Sequence, residues 1–378
     1  MIANLDYATL QQIWWILCSV VGSLFLFLTF VQGGNTLLWQ VAKNDVESSL
    51  VMNSLGRKWE LTFTTLVLFG GALFAAFPKF YATSFGGAYW VWMLILFTFI
   101  VQAVSFEYRK KPDNFLGAKV YELFLLINGT VGVLLIGAAV GTFFTGSNFT
   151  LNVYNQVTWT NPLRGLEAAF SLFNLSLGLF LVFNARVLGG MYLLNNINFS
   201  AMDAFEARLR KSVWINFLCA LPFLLYVLVS LLLMQGFDVN ATTGVVSMVA
   251  NKYLLNLLAM PLVLGLLLAG LVLVILAVLG TAFKGSSKGI WLAGLGTVLV
   301  GLAVFFTAGF NHTAFYPSKA DLQSSLTIFN ASSSLYTLTA MTYVALGIPF
   351  VLGYVAYVWR QMDSQKLAAH EVMNDEAY

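Results

Sequence analysis

The sequence predicts an all-α polytopic membrane protein with nine transmembrane helices, its N-terminus outside the cytoplasm and its C-terminus inside. Three observations predict it. Only 9% of the 378 residues are charged and 59% are hydrophobic, against about 25% charged in a soluble domain, so the apolar excess must face lipid. The apolar residues fall into nine continuous runs, each long enough to meet the roughly 20 residues a bilayer crossing requires. The basic residues gather in alternate connections between those runs, as they do where Lys and Arg are retained in the cytoplasm.

The first run, 13–39, follows a start without basic residues and is closed by Lys43. The second, 61–80, opens behind Arg57, Lys58 and Glu60. The third, 89–106, follows the Phe85-Gly86-Gly87 turn and stops at Glu107 and Arg109. The fourth is 116–143, ended by Gly146, and the fifth, 166–194, begins after Arg164 and Gly165. The sixth, 213–234, follows Arg208, Arg210 and Lys211, and the seventh, 257–283, ends at Lys284. The eighth, 290–310, begins after Lys288, and the ninth, 335–359, stops at Arg360. The spans must be helical, because backbone groups have no water partner in lipid. Continuous rather than alternating runs exclude a transmembrane barrel. The longer runs have length to spare for tilt or protrusion, and the 31 glycines suit close helix packing in lipid.

Charge gives the orientation. Lys43, Arg57 and Lys58 follow span one; Arg109, Lys110, Lys111 and Lys119 follow span three. Arg186, Arg208, Arg210 and Lys211 are placed around the end of span five, Lys284 and Lys288 after span seven, Arg360 and Lys366 around the end of span nine. These are 15 of the 19 Lys and Arg, so the connections after odd-numbered spans are expected inside. Residues 1–12 are expected outside, and no cleavable signal peptide is expected because the start lacks a basic n-region. The net charge of +3 names no acidic partner, and nothing suggests nucleic acid. Trp14, Trp15, Trp39, Trp90, Trp92 and Trp359 lie near span ends and read as an interfacial belt, with quinone stacking as the other reading. Cys18 and Cys219 sit in apolar runs and are expected unpaired. The outside loops, such as 146–161 and 238–251, are rich in Asn, Thr and Ser, and no soluble domain is expected before the short polar tail, 361–378.

The two histidines, His312 and His370, lie in an outside loop and in the tail. Membrane haem and metal sites usually use histidine, so a haem held wholly by this chain is not expected, nor is a metal site. No P-loop, GxSxG, CxxC or HExxH is present. The positive signal is polar residues at membrane depth, which are functional candidates by default. Glu60 opens span two and Glu107 closes span three, at the same expected face. The short 81–88 connection makes those spans neighbours. Gln102 lies five residues before Glu107, about 7.5 Å deeper at 1.5 Å per residue, and Gln32 lies in the cytoplasmic half of span one. One reading is a proton entry route through Glu60, Glu107, Gln32 and Gln102, with burial raising the carboxylate pKa values. The other is that Glu60 complements its helix dipole and Glu107 pairs with Arg109 or Lys110. Glu122 and Glu167, each at a span start, read as helix-dipole charges; Asn128, Asn174 and Asn184 read as interhelical hydrogen-bond groups.

With these residues in view, the sequence resembles subunit II of cytochrome bd quinol oxidase over most of its length. The resemblance rests on IWW at 13–15, KND at 43–45, MNS at 52–54, GGALFAAFP at 70–78 and the Phe85-Gly86-Gly87 turn. It continues in Phe106-Glu107-Tyr108-Arg109, YPS at 316–318, SLTIFNASSS at 325–334 and Tyr357-Val358-Trp359-Arg360; residues 148–289 match mainly by hydropathy. It implies two four-helix bundles, 13–143 and 166–310, with a peripheral ninth helix at 335–360. It implies a partner, subunit I, carrying haems b558, b595 and d, in an electrogenic quinol oxidase of the bacterial plasma membrane that reduces O2 to water with cytoplasmic protons. This chain would be haem-free, not catalytic alone, and a contributor to the proton path. Quinone, lipid and small single-span accessory subunits are further partners of such a complex. The chain departs from the familiar pattern where an acidic Asp-Gly-Phe-Asp-Met-Gly run is replaced by Phe30-Val31-Gln32-Gly33-Gly34-Asn35. An arginine before the third-span acid is replaced by Gln102. Competing readings are a stand-alone secondary transporter, with Gly33-Gly34 and Gly70-Gly71 breaking helices around a solute, and a membrane scaffold.

Overall fold

The computed structural model describes residues 5–111, 113–200 and 202–373, so the first four and last five residues of the expected termini lie outside the described residues. Eight helical stretches are long and apolar enough to cross a membrane, and a bent helix pair makes up to nine. Span one is α1 (Tyr7–Leu28) continued after Thr29 by α2 (Phe30–Val41). Asp6 caps it by accepting from the backbone N–H of Thr9 at 3.2 Å, a common way to satisfy a free helix-end donor. Span two is α3 (Asp45–Gly56), capped by Asn44, followed by α4 (Trp59–Ala76). Span three is α5 (Tyr89–Tyr108); span four is α6 (Ala118–Ile127), a π-turn at Asn128–Gly132, and α7 (Val133–Thr145).

Spans five to eight are α8 (Leu172–Asn196), α9 (Asp203–Leu233), α10 (Pro261–Phe283) and α11 (Gly289–Gly309). The ninth is α12 (Leu335–Ala345) and α13 (Ile348–Met362), bent by 40°. The sequence places several boundaries wrongly. Residues Leu166–Phe170 form a 3-10 helix ahead of span five, and Lys252–Ala259 a separate short helix ahead of span seven. Both are apolar enough to merge with their spans in a hydropathy reading. Neither glycine pair breaks a helix, since α2 runs through Gly33-Gly34 and α4 through Gly70-Gly71. Gly33 instead permits contact: a Cβ there would lie 2.0 Å from the carbonyl oxygen of Ala185 on α8. That is small-residue packing, not a discontinuous solute site.

The two sets of four spans interlock. α1 packs on α4 and on α11, while α8 packs on α9, on α7 and on α2. The first span of each set therefore touches the second span of its own set and the last span of the other. One core cluster, at the end rich in basic residues, joins Phe30, Leu55, Phe106, Tyr192, Leu209 and Leu367. A second, at the opposite end, is aromatic, with Trp15, Phe77, Phe80, Phe143, Phe315 and Tyr316. Trp14 and Trp15 are buried there, 7% and 2% exposed. Trp15 donates to the Phe305 carbonyl and Trp14 to Thr342. They are core residues, not interfacial ones, whereas Trp39 and Trp90 are exposed. Two small hairpins, β1 (Phe149–Leu151) with β2 (Val157–Trp159) and β3 (Gly236–Val239) with β4 (Val246–Val249), cover that end.

The tail is not a loose appendage at its start. Asp363 pairs with buried Lys58 at 2.9 Å and accepts from Asn196 at 3.1 Å. Leu367 donates its backbone N–H to Asn196 and accepts from Asn198.

Candidate functional site

The four candidate residues meet in two tiers. Gln32 on α2 and Gln102 on α5 are both fully buried, and the Gln32 amide Nε2 donates to the Gln102 Oε1 at 3.2 Å. Among the described residues, their residual atoms, Gln32 Oε1 and Gln102 Nε2, have no hydrogen-bond partner, nor do either of the amide atoms of Asn35 or the Oδ1 of Asn128. Asn128 opens the π-turn of span four and donates to Thr98 on α5 at 3.3 Å. Glycines set the spacing: a Cβ on Gly129 would lie 2.2 Å from the Gln32 carbonyl oxygen, and one on Gly132 would lie 2.4 Å from Thr98 Oγ1. Spans one, three and four thus close on a seam of neutral amides. Buried amide atoms left over in this way take internal water as partner.

Glu60 and Glu107 form the outer tier. The Trp59 and Phe106 rings, one residue away from each, stack with centroids 6.1 Å apart and planes at 12°. The start of α4 and the end of α5 are therefore side by side at the basic end. Both carboxylates, however, are exposed on the chain's outer surface; the burial assumed from sequence is not supplied by this chain. Among the described residues neither carboxylate makes a hydrogen bond or an ion pair. Pairing of Glu107 with Arg109 is corrected as well. Arg109 instead grips Glu122 at 2.6 Å, and Glu122 also accepts from Trp39 at 2.6 Å. Glu122 is thus a bridge between spans one, three and four rather than a simple dipole charge, and Glu167 accepts from the Gly165 N–H in the 3-10 turn. Asn128 and Asn174 do bond to neighbouring spans or loops, Asn174 accepting from Thr145 at 3.0 Å.

Other features carry less chemistry. A cavity of about 110 Å³ between the two sets of spans is lined by aliphatic and aromatic side chains such as Leu26, Leu177, Phe180 and Phe217, with Asn184 and Thr297 as polar members. Tyr316, in a loop at the opposite end, is buried, which pushes its hydroxyl up to about 12. His312 and His370 lie outside the long helices. Among the described residues no cluster of His, Cys, Asp or Glu could hold a metal.

Comparison with known proteins places this architecture. The family model described as cytochrome bd terminal oxidase subunit II matches residues 10–362. The chain is 28% identical over 376 residues to the cytochrome bd-I ubiquinol oxidase subunit 2 of Escherichia coli K12, covering 95% of each chain. It is 23% identical to the cytochrome bd ubiquinol oxidase subunit 2 of Bacillus subtilis, covering 96% of this chain and 98% of that one. In fold it resembles a chain in the structure of bd oxidase from Geobacillus thermodenitrificans, with a TM-score of 0.66 at 14% identity, covering 93% of this chain and 98% of that one.

Proposed function

The chain belongs to the cytochrome bd terminal oxidase subunit II family, and from that premise we propose that it is the haem-free subunit of a quinol:O2 oxidoreductase that lets cytoplasmic protons reach the partner subunit. The partner is subunit I, which would carry haems b558, b595 and d and take electrons from quinol. The haems supply the oxygen chemistry; this chain's residues hold and pass protons. The basic end is read as cytoplasmic by the distribution of Lys and Arg.

The observation that carries the proton reading is the Gln32–Gln102 hydrogen bond beneath paired Glu60 and Glu107 positions. Glu60 and Glu107 can exchange protons; the glutamines cannot titrate. The amides orient water through their unpaired oxygen and nitrogen atoms, and that water continues the route inward. A bare carboxylate facing lipid is costly. Two of them on the adjoining faces of α4 and α5 are a reason to place subunit I over that surface, where the partner would complete their surroundings. Burial supplied by the partner would then raise their proton affinity towards the working range.

The test is turnover of the purified complex. Glu60→Gln or Glu107→Gln should slow O2 reduction and leave the visible haem spectrum intact. Full turnover in both variants would remove the assignment. The transporter reading loses its structural basis, because the glycine pairs lie in unbroken helices.

A further inference from the structure

Between the Gln32–Gln102 pair and the two carboxylates lies a step that neither tier fills, and two sets of bonds fix its depth. Gln32 donates to Gln102. Seven residues further along each chain, Trp39 and Arg109 both donate to the Glu122 carboxylate. Spans one and three therefore run in register and in the same direction. Asn35 of span one is level with Ser105 of span three. At 1.5 Å per residue, that is about 4.5 Å from the glutamine pair towards the basic end and about 3 Å short of Glu107. Asn35 is 2% exposed, and among the described residues neither its Oδ1 nor its Nδ2 has a hydrogen-bond partner.

The direction of Asn35 follows from its neighbours on α2. Gln32 faces span three, and a Cβ on Gly34 would lie 2.8 Å from the side chain of Leu55 on span two. With 3.6 residues per turn, each residue advances about 100° around the helix. Asn35 thus lies about 60° from Gln32 on the side of Gly34, and it points between spans three and two. The Trp59–Phe106 stack closes that interface at the same level. The Trp59 Nε1, itself buried, also has no hydrogen-bond partner among the described residues. Buried polar atoms in such a position take internal water as partner. We propose that Asn35, with the Trp59 N–H, holds the water that carries protons from Glu60 and Glu107 to the Gln32–Gln102 pair. Asn35 Nδ2 donates to a water oxygen and Oδ1 accepts from a water hydrogen, so the amide orients the water without titrating. The water accepts one proton on the carboxylate side and releases another on the glutamine side, so hydrogen and charge balance. Asn35 is a positioning residue in this scheme, which rests on the proton reading of Glu60 and Glu107.

The experiment uses the intact complex in liposomes with quinol as donor. Asn35→Leu keeps the branched outline of the side chain and cannot bind water. It should slow O2 uptake per haem about tenfold, equivalent to about 1.4 kcal/mol on the proton step, with the haem spectrum unchanged. Asn35→Ser leaves room for water and a hydroxyl to hold it, and should stay within about twofold of the wild type, less than about 0.5 kcal/mol on the same scale. A packing role predicts the reverse order, because Leu fills the space and Ser does not; Ser slower than Leu overturns the proposal. Full turnover in Asn35→Leu, with Glu60→Gln and Glu107→Gln slow, overturns the role of Asn35 alone. Full turnover in all three removes the proton reading beneath it. Should Asn35→Leu fail to assemble, a high-resolution map of the wild-type complex reads the site directly. Water within about 3 Å of Asn35 Oδ1 and Nδ2 is expected, and a side chain of the partner subunit seated there instead overturns the proposal.

Discussion

The Gln32 side-chain Nε2 donates to the Gln102 side-chain Oε1 at 3.2 Å across the interface between spans one and three, with both residues buried. The pair uses one donor and one acceptor and leaves the others to water. Its arrangement makes the interior of this half of the molecule polar without making it charged.

The two single losses should sum to more than the loss in the double variant. Gln32→Leu or Gln102→Leu leaves a buried amide with no partner, a loss of about 1–3 kcal/mol. The double variant should recover a coupling of about 0.6 kcal/mol and at most about 1.7 kcal/mol, the mean and the maximum for hydrogen bonds between membrane helices. Thermal inactivation of the four complexes in a double-mutant cycle measures it. Strict additivity would mean the two amides do not interact.

Close packing of spans one and five makes a second test. A Cβ on Gly33 would sit 2.0 Å from the Ala185 carbonyl oxygen, and one on Gly189 would sit 2.2 Å from the Gly34 nitrogen. Gly33→Ala or Gly189→Ala should force the helices apart and cost about 1–3 kcal/mol, seen as a lower Tm or reduced yield of assembled complex. Gly71→Ala meets nothing within 4 Å and should be neutral in this chain.

The Lys58–Asp363 pair fastens the end of span nine. Lys58 is 2% exposed, also lies 5.4 Å from the Trp359 ring centroid, and Asp363 accepts from Asn196 as well. Asp363→Leu leaves an unpaired buried cation, a loss of about 3 kcal/mol or more. Residues 364–373 should then exchange amide hydrogens faster and become open to protease. Lys58→Met combined with Asp363→Leu should be less damaging than Asp363→Leu alone.

The spans were legible in the sequence because a bilayer demands long apolar runs, and nothing else in this chain imitates them. Their ends were less legible. The 3-10 turn at Leu166–Phe170 and the short helix at Lys252–Ala259 are apolar and adjoin true spans, and the bend at Leu346–Gly347 has no polar marker. The site was half legible. Glu60 and Glu107 stand out as charges beside apolar runs, but their exposure depends on which faces of α4 and α5 pack inward. Gln32 and Gln102 stand out both as amides at membrane depth and as departures from a family pattern. That the two departures are bonded to each other depends on packing across 70 residues and has no local signal. The sequence counts Arg186 with the cations around the end of span five; the structure sets it mid-helix, bonded to spans one and six.

The central claim is that protons enter through Glu60 and Glu107. The most direct measurement is O2 uptake and membrane-potential generation by the complex in liposomes, with quinol as donor, comparing wild type with Glu60→Gln and Glu107→Gln. We expect a fall of about a hundredfold or more in both signals in each variant, the low end of what a positioned proton-transfer group contributes, with haem absorption unchanged. Wild-type rates in both variants, in complexes with intact haem, would contradict it.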